Sequence, residues 1–164
     1  MASWEGRHAV LPALQRLGAD LNAADNVGRT PAYVACWNNQ TRALEVLHQL
    51  RADIGIPNKN GRTPCAVAAW KGHSEILRVL HRLGADLNKG NYHNATPCCV
   101  AARRNGSDVI KTLHALGADV NLGTITGNTP VIMAASKGHV ESVKTLHALC
   151  ADIERANNRV SSQC

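Results

Sequence analysis

The sequence predicts an all-α solenoid, a row of two-helix units each leaning on the next. Three columns of residues that recur every 33 positions carry that prediction. Thr-Pro stands at Thr30-Pro31, Thr63-Pro64, Thr96-Pro97 and Thr129-Pro130. A second column reads Gly18-Ala19-Asp20, Arg51-Ala52-Asp53, Gly84-Ala85-Asp86, Gly117-Ala118-Asp119 and Cys150-Ala151-Asp152. The third is the small pair Ala35-Cys36, Ala68-Ala69, Ala101-Ala102 and Ala134-Ala135. Three columns in one register mark an internal repeat. Units of this length bury their apolar sides only against a neighbour.

Each part of the unit follows from its residues. Thr before Pro starts a first helix: the hydroxyl caps a free backbone N–H, and Pro fits the first turn, where its missing N–H costs nothing. The small pair five residues on lets neighbouring first helices approach closely. That helix stops at Asn39, Gly72, Asn105 or Gly138, residues that tolerate the left-handed conformation. A second helix follows, with the apolar trios Leu44, Leu47, Leu50; Leu77, Leu80, Leu83; Ile110, Leu113, Leu116; and Val143, Leu146, Leu149. Steps of three put each trio on one face. The Gly-Ala-Asp column ends that helix, and its aspartates are placed to bond turn amides. In the first, partial unit Pro12 should shorten the second helix.

Composition agrees with a thin helical stack. Of 164 residues, 45% are apolar and 18% charged, a globular balance. Aromatics are only 3% and Phe is absent, so the core must come from Leu, Ile, Val, Ala and Cys. No apolar run is long enough to cross a membrane. No basic-then-apolar segment opens the chain as a secretory signal would. Cys36, Cys65, Cys98, Cys99 and Cys150 fall where other units carry small or apolar residues, so they read as reduced core fillers of a cytoplasmic or nuclear protein. No Cys-x-x-Cys pair supports zinc or a redox dithiol.

The 33-residue period, the Thr-Pro start, the Ala-Ala pair and the ending Gly117-Ala118-Asp119-Val120-Asn121 together resemble the ankyrin repeat family. The run from Gly61-Arg62-Thr63-Pro64 through Gly72-His73 is the clearest match, and the resemblance covers nearly the whole chain. It implies helix-turn-helix units joined by short hairpin-like turns. Full repeats are expected at 25–57, 58–90, 91–123 and 124–156, with a partial repeat at 1–24 and a truncated one at 157–164. Where the family usually has Leu-His after Thr-Pro, this chain has Ala32-Tyr33, Cys65-Ala66, Cys98-Cys99 and Val131-Ile132. The hydrogen bonds that His would make between repeats are therefore expected to be missing and the coupling looser. Asn94 replaces the turn Gly in the third repeat.

The resemblance also implies where a partner would sit: on the turn tips and the exposed side of the first helices, the concave face. The matching tip residues are Asn26, Val27, Arg29; Lys59, Asn60, Arg62; Tyr92, His93, Ala95; and Ile125, Thr126, Asn128. The two positions after the small pair are Trp37-Asn38, Trp70-Lys71, Arg103-Arg104 and Ser136-Lys137. All three tryptophans, Trp4, Trp37 and Trp70, share one column. Arg29, Lys59, Arg62, Lys71, Arg103, Arg104 and Lys137 lie in these columns without any Asp or Glu, in a chain of net charge +6. Trp, Tyr and Arg are the types enriched at interface hot spots. The complement is a partner protein with acidic groups and an apolar anchor.

Other constellations read as structure. His48, His81, His114 and His147 form a ladder in the second helices. Neighbouring helices lie about 8–10 Å apart, too far for one zinc ion, so these are expected to be half-buried residues standing where the family has Leu. If so, their protonation would weaken the stack between about pH 7 and 5. His73 and His139, after the helix-ending Gly, are structural by family resemblance. Cys65, Cys98 and Cys99 have no sequence neighbour that would stabilise a thiolate. No phosphate loop, nucleophile elbow or His-Glu-x-x-His run occurs.

The expected function is therefore a non-catalytic protein-interaction scaffold, monomeric, without cofactor or metal. Two alternatives stand beside it. One is a basic-face binder of nucleic acid or acidic lipid, favoured less because the family seldom works this way and +6 is modest. The other is a fragment of a larger ankyrin-repeat-bearing protein.

Overall fold

The computed structural model describes residues 8–152. A 3-10 turn, His8–Val10, runs into α1 (Leu11–Arg16). Four helix pairs follow: α2 (Pro31–Trp37) with α3 (Thr41–Gln49), α4 (Pro64–Lys71) with α5 (Ser74–Arg82), α6 (Pro97–Ala102) with α7 (Ser107–Ala115), and α8 (Pro130–Ala135) with α9 (Val140–Ala148). First helices pack in one row, α2 on α4 on α6 on α8, and second helices in another, α3 on α5 on α7 on α9. Among the described residues the chain is all-helical, with no strand. Pro12 falls in the first turn of α1, which begins only at Leu11, and that helix has six residues against nine in α3.

Local chemistry sets the helix ends as the sequence leads one to expect. Thr30, Thr63 and Thr96 cap their helices by accepting from the N–H groups of Tyr33, Ala66 and Cys99 at 3.2, 3.1 and 3.3 Å. Thr129 departs from the series: it makes no cap bond, and its buried hydroxyl has no partner. Asn39, Gly72, Asn105 and Gly138 all take positive φ, as do Gly18, Arg51, Gly84, Gly117 and Cys150 at the ends of the second helices. Cys150 is therefore a helix-ending residue and is exposed, a correction to its reading as a core filler.

The core runs between the two rows. Leu44, Leu47, Leu77, Leu80, Ile110, Leu113 and Leu146 are sealed from solvent, while Leu50, Leu83, Leu116 and Leu149 pack half-buried at its margin. Ala43, Val46, Ile76, Val79 and Val109 widen the buried stripe beyond the trios. The small pairs are buried except at Ala135. Cys36, Cys65, Cys98 and Cys99 sit buried as free thiols.

His48, His81, His114 and His147 are exposed, not half-buried. The flanking positions, Val46-Leu47 and their equivalents, already fill the core side, so the His column turns outward. The expected weakening of the stack by acid required burial, which these imidazoles lack. The Asp column does bond turn amides: Asp20, Asp53, Asp86 and Asp119 accept from the N–H groups of Asn22, Gly55, Asn88 and Asn121 at 2.7–2.8 Å.

Bridges between units are spread unevenly along the stack, and the partial unit is already tied to the first pair by Gln15 donating to the Leu50 carbonyl at 2.8 Å. Between the first and second pairs, the His73 ring meets the Trp37 carbonyl at 3.1 Å, Asn58 donates to the Tyr33 hydroxyl at 3.3 Å, Lys59 N–H donates to Val27, and Arg82 pairs with Glu45. Between the third and fourth, the His139 ring meets the Arg103 carbonyl at 3.1 Å, Ser142 donates to Asn105 at 3.1 Å, and Ile125 N–H donates to His93. Between the second and third, the hydrogen-bonded set shrinks to Asp119 N–H donating to Asn88 Oδ1 at 2.9 Å. Between its first helices that seam is apolar, with α4 from Pro64 to Ala69 and all of α6 buried.

The expected loss of bonds at the Leu-His positions needs correcting at two of them. Tyr33 bonds to Asn58 of the next unit, and the Cys99 thiol, which donates to the Leu122 carbonyl of its own unit at 3.3 Å, also reaches the Asn128 carbonyl of the next at 3.9 Å. Phenol and thiol recover part of what His would supply.

Candidate functional site

The first helices end in line, so the residues that follow each small pair are displayed in a row. Trp37 closes α2, Trp70-Lys71 close α4, and Arg103-Arg104 follow α6. Their neighbours on the inner side are the buried alanines and Cys36, which leave no room for a large ring, so the indoles lie along the outer flank, half-buried. The Trp37 and Trp70 ring centroids are 5.4 Å apart with planes tilted by 33°. The Lys71 ammonium stands 4.4 Å from the Trp37 ring and 5.2 Å from that of Trp70. Two guanidiniums also approach Trp70, Arg104 at 5.0 Å and Arg62 at 5.8 Å. Five side chains from three successive units thus form one ladder of cations on aromatic faces.

The hairpin tips border this ladder. A column the sequence reading passed over fixes them: Asp25, Asn58, Asn91 and Thr124. Asp25 Oδ1 accepts from the N–H groups of Val27 and Arg29, Asn58 Oδ1 from Asn60 and Arg62, and Asn91 Oδ1 from His93 and Ala95, all at 2.9–3.0 Å. Thr124 does the same for Asn128 at 3.2 Å. The signal was there in the 33-residue spacing of four side chains able to accept from backbone. Tips also touch across units: a Cβ on Gly61 would stand 2.8 Å from the Tyr92 ring, so only Gly lets the two turns meet.

The sequence-predicted residues separate into three groups. Trp37, Arg62, Trp70, Lys71 and Arg104 are brought together. Lys59, Tyr92, His93, Arg103 and Lys137 are exposed along the same columns but join no ring contact of the ladder. Two are spent internally. Arg29 Nε lies 2.6 Å from Asp25 Oδ2, so its charge is compensated. The Arg29 backbone N–H, helped by its guanidinium, holds the Asp25 carboxyl below the usual range. Asn38 donates its amide to the Val34 carbonyl of its own helix at 3.1 Å. Ala95, placed among the tip positions, is buried. Trp4 lies outside the described residues, as does the truncated repeat at 157–164.

Below the ladder, Arg62 also lies near the Tyr33 phenol. Burial pushes that phenol up, and the guanidinium opposes the shift. On the loop side of the stack, Asp53, Gly55, Cys65, Leu83, Asp86 and Lys89 help line a cavity of about 190 Å³. Burial pushes the Cys65 thiol up to about 12, and Cys36, Cys98 and Cys99 upward also, so these sulfurs stay protonated and unreactive. Among the described residues no three His, Cys, Asp or Glu side chains gather as metal ligands. None of their helices is long and apolar enough to cross a membrane.

Comparison with known families gives three matches: "Ankyrin repeats (3 copies)" over residues 1–91, "Ankyrin repeats (many copies)" over 81–134, and "Ankyrin repeat" over 126–158. No curated protein matches the chain.

Proposed function

The chain belongs to the ankyrin repeat family, whose repeats are generally protein-protein interaction modules, and on that premise we propose that it holds another protein on the flank formed by its hairpin tips and first helices, the concave face. The observation that carries this reading is the ladder of Trp37, Arg62, Trp70, Lys71 and Arg104, drawn from three units onto one exposed flank. Trp37 packs partly against the core, and the five side chains are fixed by one another, so they form a preorganised surface. Preorganisation reduces the ordering cost of binding. Exposed Tyr92 and the neighbouring Arg103 and Lys137 extend it along the stack. The family's generally non-catalytic character agrees with a scaffold role. The same reading puts the chain in a reducing compartment, cytoplasmic or nuclear, on the strength of four buried free thiols.

Affinity capture with mass spectrometry tests the reading, using the full chain and its Trp37→Ala/Trp70→Ala double variant. The expected result is loss of most captured proteins in the variant while its helical circular dichroism persists. Recovery of the same proteins at the same yield would show that the flank is not the binding face.

A further inference from the structure

We propose that the ladder recognises closely spaced carboxylates on an acidic segment of a partner protein, and that its cations, not its indoles, make the contact. This rests on the reading that the flank binds a protein. The sequence suggests tryptophans as apolar anchors, but the geometry points elsewhere. Three cations lie within 6 Å of the Trp70 ring centroid, and the Trp37 ring has Lys71 at 4.4 Å and Trp70 beside it. The rings are already occupied by the chain's own side chains.

What the occupation does is visible by contrast. Arg29, Arg42, Arg78, Arg82, Lys111 and Lys144 each pair with an Asp or Glu within 4 Å. Arg62, Lys71 and Arg104 sit on aromatic faces instead. An ion pair cancels charge, whereas a π face holds a cation in place and leaves its charge intact. The ladder is thus a fixed, uncompensated positive cluster around one ring. Acidic residues two apart on an extended chain, about 7 Å from one another, could engage two of these cations together.

The tips decide which acidic macromolecule fits. Val27, Tyr92 and Ile125 are exposed by 51%, 69% and 63% on the row of hairpin tips, in the first, third and fourth units. Arg62 joins the row to the rings: it leaves the tip at Gly61, against which Tyr92 packs, and reaches Trp70. Apolar tips next to fixed cations complement a protein segment that alternates acidic and apolar side chains. A nucleic acid would use indoles as stacking platforms, and those faces are taken.

The test is fluorescence titration of the full chain with a dye-labelled peptide of alternating glutamate and leucine. A glutamine-leucine peptide, an oligothymidylate and phosphatidylserine vesicles serve as comparison probes. Lys71→Gln and Arg104→Gln are compared with Lys111→Gln, which removes the same charge from α7. The glutamate peptide should bind and the glutamine peptide should not. Lys71→Gln and Arg104→Gln should each weaken binding about tenfold, with Lys111→Gln leaving it within about threefold. Equal weakening by Lys111→Gln, equal binding of the glutamine peptide, or tighter binding of the oligothymidylate or vesicles would overturn the proposal. If the captured proteins depend on Trp37 and Trp70 but the glutamate peptide does not displace them, this inference fails while the flank reading stands.

Discussion

A side chain separates Arg51 from the glycines that share its place in three other units. Gly18, Gly84 and Gly117 end their second helices at φ of 83–85°, and Arg51 does the same at 65°. A side chain in that conformation costs about 1–2 kcal/mol, part of which Gly gives back through its freer unfolded chain. Nothing stands within 4 Å of a Cβ at Gly18, Gly84 or Gly117, so the cost is in the backbone and not in crowding. Arg51→Gly should therefore stabilise the protein by about 0.5–1 kcal/mol. A urea midpoint that stays put or falls would contradict this. Such positions were legible in the sequence because Gly and Asn advertise a backbone requirement. The cations on Trp70 were not legible, since Arg62, Lys71 and Arg104 meet that ring only once three units are stacked. Nor was the inward bond of Asn38, which is a choice of rotamer. The outward turn of His48, His81, His114 and His147 was missed because the core side of each second helix is already filled by Val46-Leu47 and their counterparts.

Helices are joined across units by imidazoles at two of the seams. His73 and His139 each enter a second helix at φ near −85° and ψ near 75°, and each ring reaches the carbonyl at the end of the preceding unit's first helix. Gly106 occupies the same seat before α7 with φ −86° and ψ 61°, and offers no ring. Gly106→His should span to the Trp70 carbonyl and add about 1 kcal/mol, the worth of one hydrogen bond together with the removal of a flexible residue. A Cβ there would meet the Ala101 carbonyl at 3.2 Å, a contact that must relax slightly. Thermal melting checks the outcome, and a lower melting temperature would mean that the seam cannot accept the bridge.

Across the whole stack, four buried thiols give the molecule an alkaline limit. Burial raises Cys65 from 9 to about 12 and lifts Cys36, Cys98 and Cys99 as well. Above pH 9 the unfolded chain loses these protons and the folded chain keeps them, so the unfolded state binds fewer protons and stability falls as pH rises. Each thiol contributes a slope of about 1.4 kcal/mol per pH unit until its folded value is reached. For Cys65 that window runs from 9 to about 12. Cys65→Ala should flatten the decline of chemical-denaturation stability between pH 9 and 11. An unchanged slope would mean that its thiol ionises freely in the fold.

The uneven bonding of the seams sets how the array can grow or shrink. His73 and His139 lie two units apart, and so do the tip bonds of Lys59 to Val27 and of Ile125 to His93. Excising residues 58–123 would bring the Trp37 carbonyl opposite His139 and the Val27 carbonyl opposite the Ile125 N–H, so the shortened chain inherits a bridged joint. Excising 58–90 alone would set Trp37 against Gly106, which has no side chain to offer. By this bonding pattern, removing the second and third units together keeps an imidazole bridge that removing the second alone loses.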